Sequence, residues 1–112
     1  MNKSTIQKFH EFVRKTYKYD FGYGNLLYLS NGMGGEAGEI QNEVKKLYRK
    51  LGITKNVQEE SDDEISLRKE NIKKEIGDVL WYLFAMANEI ETNIEDIIET
   101  NIEKNTANIK NT

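Results

Sequence analysis

The segment KEIGDVLWYLFAMANEI, from Lys74 to Ile90, is the most apolar stretch of the chain and decides its fold. Apolar residues recur in and just before it every three or four positions, which is the spacing of one face of an α-helix. They are Ile72, Ile76, Val79, Leu80, Leu83, Ala87 and Ile90. Aromatic and other apolar side chains fill much of the remaining circumference, at Trp81, Tyr82, Phe84 and Met86. A helix that is apolar almost all round is buried on most sides, so the sequence predicts a central helix from about Ile65 to Glu91.

Three further helices are predicted around this one. Ser4 is a suitable N-cap for a first helix that runs to about Tyr17, and a second helix covers about residues 25–51. Asn93 with Asp96 resembles the capping arrangement of a fourth helix. Proline is absent, and no strand pattern outweighs the helical ones. The predicted fold class is therefore all-α. Because so short a chain can hardly cover the central helix alone, we expect the helices to pack into a dimeric or tetrameric bundle.

The chain of 112 residues has the length of a single domain. Within it, residues 52–66 combine turn formers with dense acid, which predicts a mobile insertion between the second and third helices. Residues 106–112 are polar and predict a frayed tail.

The composition excludes several classes of site. The net charge of −3 and the sequence pI near 5.3 do not suit a general nucleic-acid binder. The absence of cysteine excludes disulfides, thiolate catalysis and Cys-based zinc sites, and the single histidine excludes a site built from two histidines of one chain. No apolar run reaches the roughly 20 residues of a membrane span. The N-terminus lacks the apolar core of a signal peptide, so we expect a cytoplasmic protein that binds neither nucleic acid nor membrane.

Two pairs of carboxylates have a spacing that can serve chemistry. Glu36 and Glu39 are three residues apart, and so are Glu75 and Asp78. On a helix this spacing puts both members of a pair on one face. Two such helices facing each other would bring four anionic oxygen donors together, which requires a neutralising cation. Oxygen ligands without a nearby His or Cys favour Mg²⁺, with Mn²⁺ as the alternative.

Acidic pairs at this spacing also arise by chance in so acidic a chain, and most of them are solvated faces. The context distinguishes these two pairs. The first lies in GGEAGE, among small residues that let another group approach, and the second directly precedes the most apolar stretch of the protein. A carboxylate at such a border either destabilises the fold or is kept for a function. From the residues alone, a metal site and a solvated acidic face both remain open.

Three segments of the chain resemble the MazG-like nucleotide pyrophosphohydrolases, which belong with the dimeric dUTPases and dCTPases to an all-α superfamily. They are GEAGEIQNEVKK at 35–46, KEIGDVLWYLFAMANEI at 74–90 and NIEKN at 101–105. The signature of that family is a Glu-x-x-Glu pair followed on a later helix by a Glu-x-x-Asp pair. The resemblance implies one MazG-like domain over residues 1–112, a four-helix protomer that forms a homodimer or homotetramer, and magnesium-dependent hydrolysis of a (deoxy)nucleoside triphosphate to a monophosphate and pyrophosphate.

The resemblance also implies roles for the two acidic pairs. Glu36, Glu39, Glu75 and Asp78 would coordinate the metal ion. If one of these carboxylates also activates the attacking water, Glu39 is the first candidate for this base and Glu36 the second. Two other readings stay open: a non-catalytic helical dimer with an interaction or regulatory role, and a phosphohydrolase that acts on a phosphoribosyl-nucleotide.

Five further residues are implied as substrate contacts. Tyr82 lies one helical turn beyond Asp78, at the family position beside the nucleotide. Asn101 and Lys104 match the Asn-x-x-Lys segment that reaches the substrate, and Lys46 is a second candidate for the phosphates. His10 lies in an N-terminal helix like that of relatives whose histidine lines the base pocket. The longer gap between the acidic pairs, the extra glycines before Glu36 and the neutral C-terminal segment depart from the usual family pattern.

Overall fold

The computed structural model describes residues 2–51 and 63–110. Its elements are α1 (Thr5–Thr16), α2 (Gly24–Leu51), α3 (Asp63–Glu89) and α4 (Ile94–Lys110). The described ranges contain no strand, so the predicted all-α fold of four helices is confirmed. None of these helices is long and apolar enough to cross a membrane.

The helix boundaries differ from the predicted ones in two places. Most of the predicted insertion at 52–66 lies outside the described residues, but residues 63–66 already form the first turn of α3. Asp63 and Glu64 stand in that turn, where negative side chains interact favourably with the positive end of the helix dipole. At the other end of the chain, α4 continues to Lys110, through most of the segment predicted to fray.

Local capping explains where α1 and α4 begin. The Ser4 hydroxyl accepts a hydrogen bond from the Gln7 backbone N–H at 3.1 Å, and the Gln7 side chain accepts one from the Ser4 N–H at 2.8 Å. This reciprocal pair satisfies two of the amides that a helix start leaves without partners. At the start of α4, Asn93 Oδ1 accepts from the Asp96 N–H at 2.8 Å. Both predicted N-caps are therefore confirmed.

The two long helices α2 and α3 form an antiparallel pair, and the order of their contacts shows it. Leu29, near the start of α2, packs in one buried cluster with Phe84 near the end of α3. Leu47, near the end of α2, packs with Ile65 near the start of α3. The two clusters thus mark opposite ends of one seam between the helices.

Helices α1 and α4 cover only part of this pair. Val13 of α1 joins the main buried cluster, and the Phe9 ring meets Phe84 edge to face at 4.7 Å. From α4, Ile94 packs against the same cluster. The apolar stripe of α3 is otherwise poorly covered in a single chain. Several of its large side chains stay exposed, including Ile76, Leu80 and Leu83, and so does Ile90 just beyond the end of the helix.

The register brings Tyr82 across the backbone of Gly32. A Cβ built at Gly32 would stand 2.6 Å from Tyr82 Cζ and 2.8 Å from its hydroxyl oxygen, which is closer than atoms can pack. A Cβ at Gly34 would meet open space. Glycine at position 32 is thus needed for the contact, whereas glycine at 34 is not needed for packing within the protomer.

This difference predicts opposite effects of two matched substitutions on thermal stability. Gly34→Ala should raise the free energy of unfolding by about 0.5–1 kcal/mol, because alanine loses less backbone entropy in a helix. Gly32→Ala should fail to show this gain and should lower the melting temperature, because the Tyr82 ring must leave its half-buried position. Thermal unfolding followed by circular dichroism measures both, and equal stabilisation by the two substitutions would contradict the Gly32–Tyr82 contact.

Candidate functional site

Three carboxylates meet at the middle of the α2–α3 seam. One oxygen each from Glu36, Glu75 and Asp78 lie within 4.8 Å of one another. Glu75 and Asp78 share a face of α3 because they are one turn apart, and the antiparallel register places Glu36 of α2 opposite them. Glu36 and Glu75 are half-buried, whereas Asp78 is exposed.

The electrostatics of this cluster favour proton or cation binding. A hydrogen bond with Glu36, burial, and the negative charges of Glu36, Asp78 and Glu43 together raise the pKa of Glu75. Glu75 Oε2 is buried and has no hydrogen-bond partner among the described residues. A buried carboxylate oxygen without a donor is costly, and a bound cation would satisfy it. The donor set therefore fits a divalent ion that prefers oxygen ligands.

Glu39, the fourth predicted ligand, stands apart from the other three. It lies one turn after Glu36 on α2, but its side chain is exposed and its oxygens do not belong to the group within 4.8 Å. The structure thus brings together three of the four predicted metal ligands.

An aromatic group borders the cluster on one side. The Tyr82 ring packs over Gly32, which lies one turn before Glu36 on α2, and Tyr82 itself lies one turn after Asp78 on α3. Burial is the largest cause that raises the pKa of Tyr82, followed by the electrostatic influence of Glu36, Tyr19 and Asp78. The rings of Tyr19 and Tyr28 lie 4.7 Å apart. Their hydrogen bond is the largest cause, ahead of burial, that raises the pKa of Tyr28 to about 12. Tyr28 lies one turn before Gly32 on α2, so the predicted nucleotide neighbour Tyr82 and these two tyrosines lie toward the same end of the seam.

A cationic group borders the cluster on the other side. Arg68 of α3 donates from Nη1 to Glu43 Oε2 of α2 at 3.2 Å, and Lys46 Nζ lies 3.7 Å from Glu43 Oε1. Burial alone would raise the pKa of Glu43, but hydrogen bonds from Arg68 and Asn71 and the charge of Lys46 lower it below its usual range. Lys46 is therefore paired with a carboxylate on the site seam.

The other predicted substrate contacts lie elsewhere in the protomer. His10 Nε2 is 2.8 Å from Glu95 Oε1 of α4, and its ring packs against Phe84. It lines a cavity of about 350 Å³ whose walls include no member of the carboxylate cluster. Asn101 and Lys104 are exposed on α4, where Asn101 Oδ1 accepts from Asn105 within the helix.

Sequence reasoning missed Glu43, Arg68, Tyr19 and Tyr28 as neighbours of the site. A signal for Glu43 was present, since it follows Glu36 by seven residues and so shares its helical face. Arg68 likewise precedes Glu75 by seven residues. That Glu43 and Arg68 face each other depends on the inter-helix register, which no spacing within one helix reveals.

Comparison with known proteins identifies the family. Residues 26–111 match the MazG nucleotide pyrophosphohydrolase domain. The chain belongs to this family. The match includes both acidic pairs, the aromatic residue Tyr82 and the Asn-x-x-Lys segment of α4.

Among curated proteins, this chain is similar to the Gene 37 protein of Mycobacterium phage L5. The two are 38% identical over 80 residues, which are 70% of this chain and 61% of the phage protein. The aligned part thus spans somewhat less than two thirds of the length of that relative. No solved structure matches the chain significantly.

The raised pKa of Glu75 predicts a pH-dependent loss of stability in metal-free protein. Because the folded-state pKa lies above the ordinary value of 4.5, the folded protein binds this proton more tightly than the unfolded chain. The resulting stabilisation is complete below pH 4.5 and is lost as the pH rises through the folded-state pKa.

Glu75→Gln removes the titrating carboxyl group, so this variant tests the predicted pH dependence of stability. With a chelator present, the melting temperature of the variant minus that of wild type should increase as the pH rises across this window. The matched control Glu70→Gln, at an exposed position of α3, should give a difference that does not change with pH in this way. A constant difference for Glu75→Gln would contradict the raised pKa of Glu75.

Proposed function

We propose that this protein hydrolyses a (deoxy)nucleoside triphosphate to a nucleoside monophosphate and pyrophosphate, with Mg²⁺ as the cofactor and Mn²⁺ as a substitute. The observation that carries this proposal is the group of Glu36, Glu75 and Asp78 in a chain of the MazG family, with a buried Glu75 oxygen that lacks a partner. Such a group is costly unless a cation or a proton neutralises it.

Four carboxylates are assigned to the metal: Glu36, Glu75 and Asp78 from the cluster, joined by Glu39. A glutamate side chain has several rotatable bonds, so the exposed Glu39 carboxylate can turn toward Glu36 on the same helical face. When bound, a divalent ion supplies positive charge against the phosphate oxygens of the substrate.

The hydrolytic step needs a base, and the exposed position of Glu39 suits this role. The water oxygen forms a bond to the α-phosphorus, the bridging bond from the α-phosphorus to the β-phosphate oxygen breaks, and pyrophosphate leaves with the bonding electrons. Glu39 accepts the proton of the attacking water, with Glu36 as the second candidate. Glu36 is less available because it already shares a hydrogen bond with Glu75.

The remaining roles concern the substrate. Tyr82 flanks the nucleoside, since its ring lies beside the carboxylates and across Gly32. In this proposal Lys46 and Lys104 contact the phosphates, Asn101 contacts the substrate, and His10 contacts the base. Because Asn101, Lys104 and His10 do not join the cluster in one protomer, we assign these contacts to a site completed by a second copy.

Exposed apolar grooves support the proposed homodimer or homotetramer. A groove of about 510 Å³ between α1, α3 and α4 has almost wholly apolar walls, and half-exposed Phe12, Leu80 and Ile98 line it. A second groove of about 380 Å³ is lined by Leu83, Ile90 and other apolar residues. Self-association would remove these surfaces from water, which is the main driving force for such interfaces.

A panel of ribo- and deoxynucleoside triphosphates with Mg²⁺ tests the reaction. The expected products are the nucleoside monophosphate and pyrophosphate, measured separately by chromatography and by pyrophosphate and orthophosphate assays. Release of a nucleoside diphosphate and orthophosphate would place the attack at the γ-phosphorus and would contradict the proposed reaction. Absence of turnover, together with hydrolysis of a phosphoribosyl-nucleotide, would favour that other substrate class.

The metal role of Asp78 predicts a selective loss of activity. Asp78→Asn subtracts charge and a donor oxygen from the cluster, so turnover should fall by orders of magnitude while the helical circular dichroism spectrum is retained. Mg²⁺ should raise the melting temperature of wild type but not of Asp78→Asn. Glu70→Gln is the control, because it removes one negative charge from an exposed position on the same helix. Activity of Asp78→Asn within about twofold of wild type would refute the metal assignment.

Self-association predicts a solution mass above that of the 13.0 kDa chain. Light scattering at micromolar concentration should give a dimer or tetramer for wild type. Ile98→Glu, which puts a charge into the apolar groove of α1, α3 and α4, should lower that mass. Thr100→Glu adds the same charge at an exposed polar position of α4 and should leave the mass unchanged. A monomeric wild type would contradict the assembly.

A further inference from the structure

The aromatic group, the carboxylate cluster and the cationic group lie in a row along one seam. On α2, Gly32 precedes Glu36 by four residues and Glu43 follows it by seven, so all three share a helical face. On α3, Tyr82 follows Glu75 by seven residues and Arg68 precedes it by seven. Seven residues of helix rise about 10.5 Å. The row therefore has an aromatic end and a cationic end, separated by the carboxylates.

The groups of a nucleoside triphosphate follow an order along its length that matches the two ends of this row. Its base and sugar offer flat and apolar surface, and its terminal phosphates offer concentrated negative charge. With the α-phosphate at the carboxylate cluster and the nucleoside beside Tyr82, the terminal phosphates extend toward Glu43 and Arg68. The opposite orientation would put those phosphates against tyrosine rings and leave the base against an ion pair.

The Arg68 side chain is held in place but retains hydrogen-bonding capacity. A guanidinium has five N–H donors, and the Nη1 bond to Glu43 uses one of them. The contact of Nη2 with Glu64 is 3.7 Å long, beyond an ordinary hydrogen bond. Nε is buried and has no hydrogen-bond partner among the described residues, so the capacity left for a ligand lies with the two terminal nitrogens. The side chains of Glu43 and Arg68 are only 13% and 23% exposed. The guanidinium of Arg68 is therefore held in place by Glu43 and does not move freely like a surface charge.

The charges around this end also suit an anion. Lys46 and Arg68 place two positive charges beside the half-buried carboxylate of Glu43. Glu64 Oε1 lies 3.7 Å from Arg68 Nη2, and the Glu64 side chain is 42% exposed. Guanidinium groups bind phosphate oxygens through paired N–H donors, more specifically than ammonium groups do.

We infer that Arg68, anchored by Glu43 and flanked by Lys46, binds the terminal phosphate of the substrate and of the pyrophosphate product. The inference rests on the proposed function, and it fixes the direction in which the triphosphate lies along the α2–α3 seam. Arg68 thereby becomes a binding residue for the leaving group, supplied by α3.

Pyrophosphate is the probe that separates this role from a structural one. Its binding to the full chain in the presence of Mg²⁺ is measured by calorimetry for wild type, Arg68→Gln and the control Arg49→Gln, which removes an arginine charge from an exposed position of α2. The dissociation constant of pyrophosphate should rise about tenfold or more in Arg68→Gln, the size expected for a charge-assisted hydrogen bond. It should stay near the wild-type value in Arg49→Gln. Inhibition by the nucleoside monophosphate product should change in neither variant.

Loss of the Glu43–Arg68 pair can also weaken the fold, so a double variant accompanies the single one. Glu43→Gln with Arg68→Gln removes both charges and should recover the melting temperature lost in Arg68→Gln, because no buried charge is left unpaired. Its affinity for pyrophosphate should remain low. Recovered pyrophosphate affinity in the double variant, or weakened binding of both products in Arg68→Gln, would show that Arg68 acts only on the structure and would overturn the inference.

The test also distinguishes this inference from the proposed function. If wild type releases pyrophosphate from a triphosphate but Arg68→Gln binds pyrophosphate as wild type does, the inference alone is wrong. If wild type hydrolyses no triphosphate to a monophosphate and pyrophosphate, the proposed function is wrong and the inference falls with it.

Discussion

Glu36 and Glu75 face each other because two long helices pack in antiparallel register, with apolar contacts at both ends of their seam. Leu29 packs against Phe84 at one end, and Leu47 packs against Ile65 at the other. Interiors pack closely and tolerate shifts poorly, so these contacts set which residues meet in between. A shift of one residue would rotate each side chain by about 100° around the helix axis and would separate the carboxylates.

The same register imposes an electrostatic conflict at the centre of the seam. Three carboxylates of like charge are held within 4.8 Å of one another, two of them half-buried. The raised pKa of Glu75 and its unpartnered oxygen are the consequences. Folding energy from the apolar ends offsets this unfavourable arrangement. A site assembled in this way is ready to bind a cation, because the repulsion has already been overcome during folding.

The apolar surface of the protomer is only partly covered within a single chain. Helix α3 contributes most of the core, yet several of its large apolar residues remain exposed, and α4 leaves nearly all of its side chains open to solvent. Residues that the family resemblance links to the substrate, Asn101 and Lys104, are on this same exposed helix. In the proposed assembly, the apolar grooves would be covered and α4 would lie at the site of a neighbouring copy.

The sequence by itself determined the local features of this protein. Helical periodicity located the four helices, the capping residues Ser4 and Asn93 marked two of their starts, and the three-residue spacing put Glu75 beside Asp78 on one face. These features depend on neighbours within one or two turns, which the order of residues already contains. Tertiary structure alone decided which faces meet. The contact of Tyr82 with Gly32, the exposure of Glu39 and the pairing of Glu43 with Arg68 depend on how two distant helices pack. That packing depends on the side-chain shapes of both helices together, so no periodicity within either helix could reveal it.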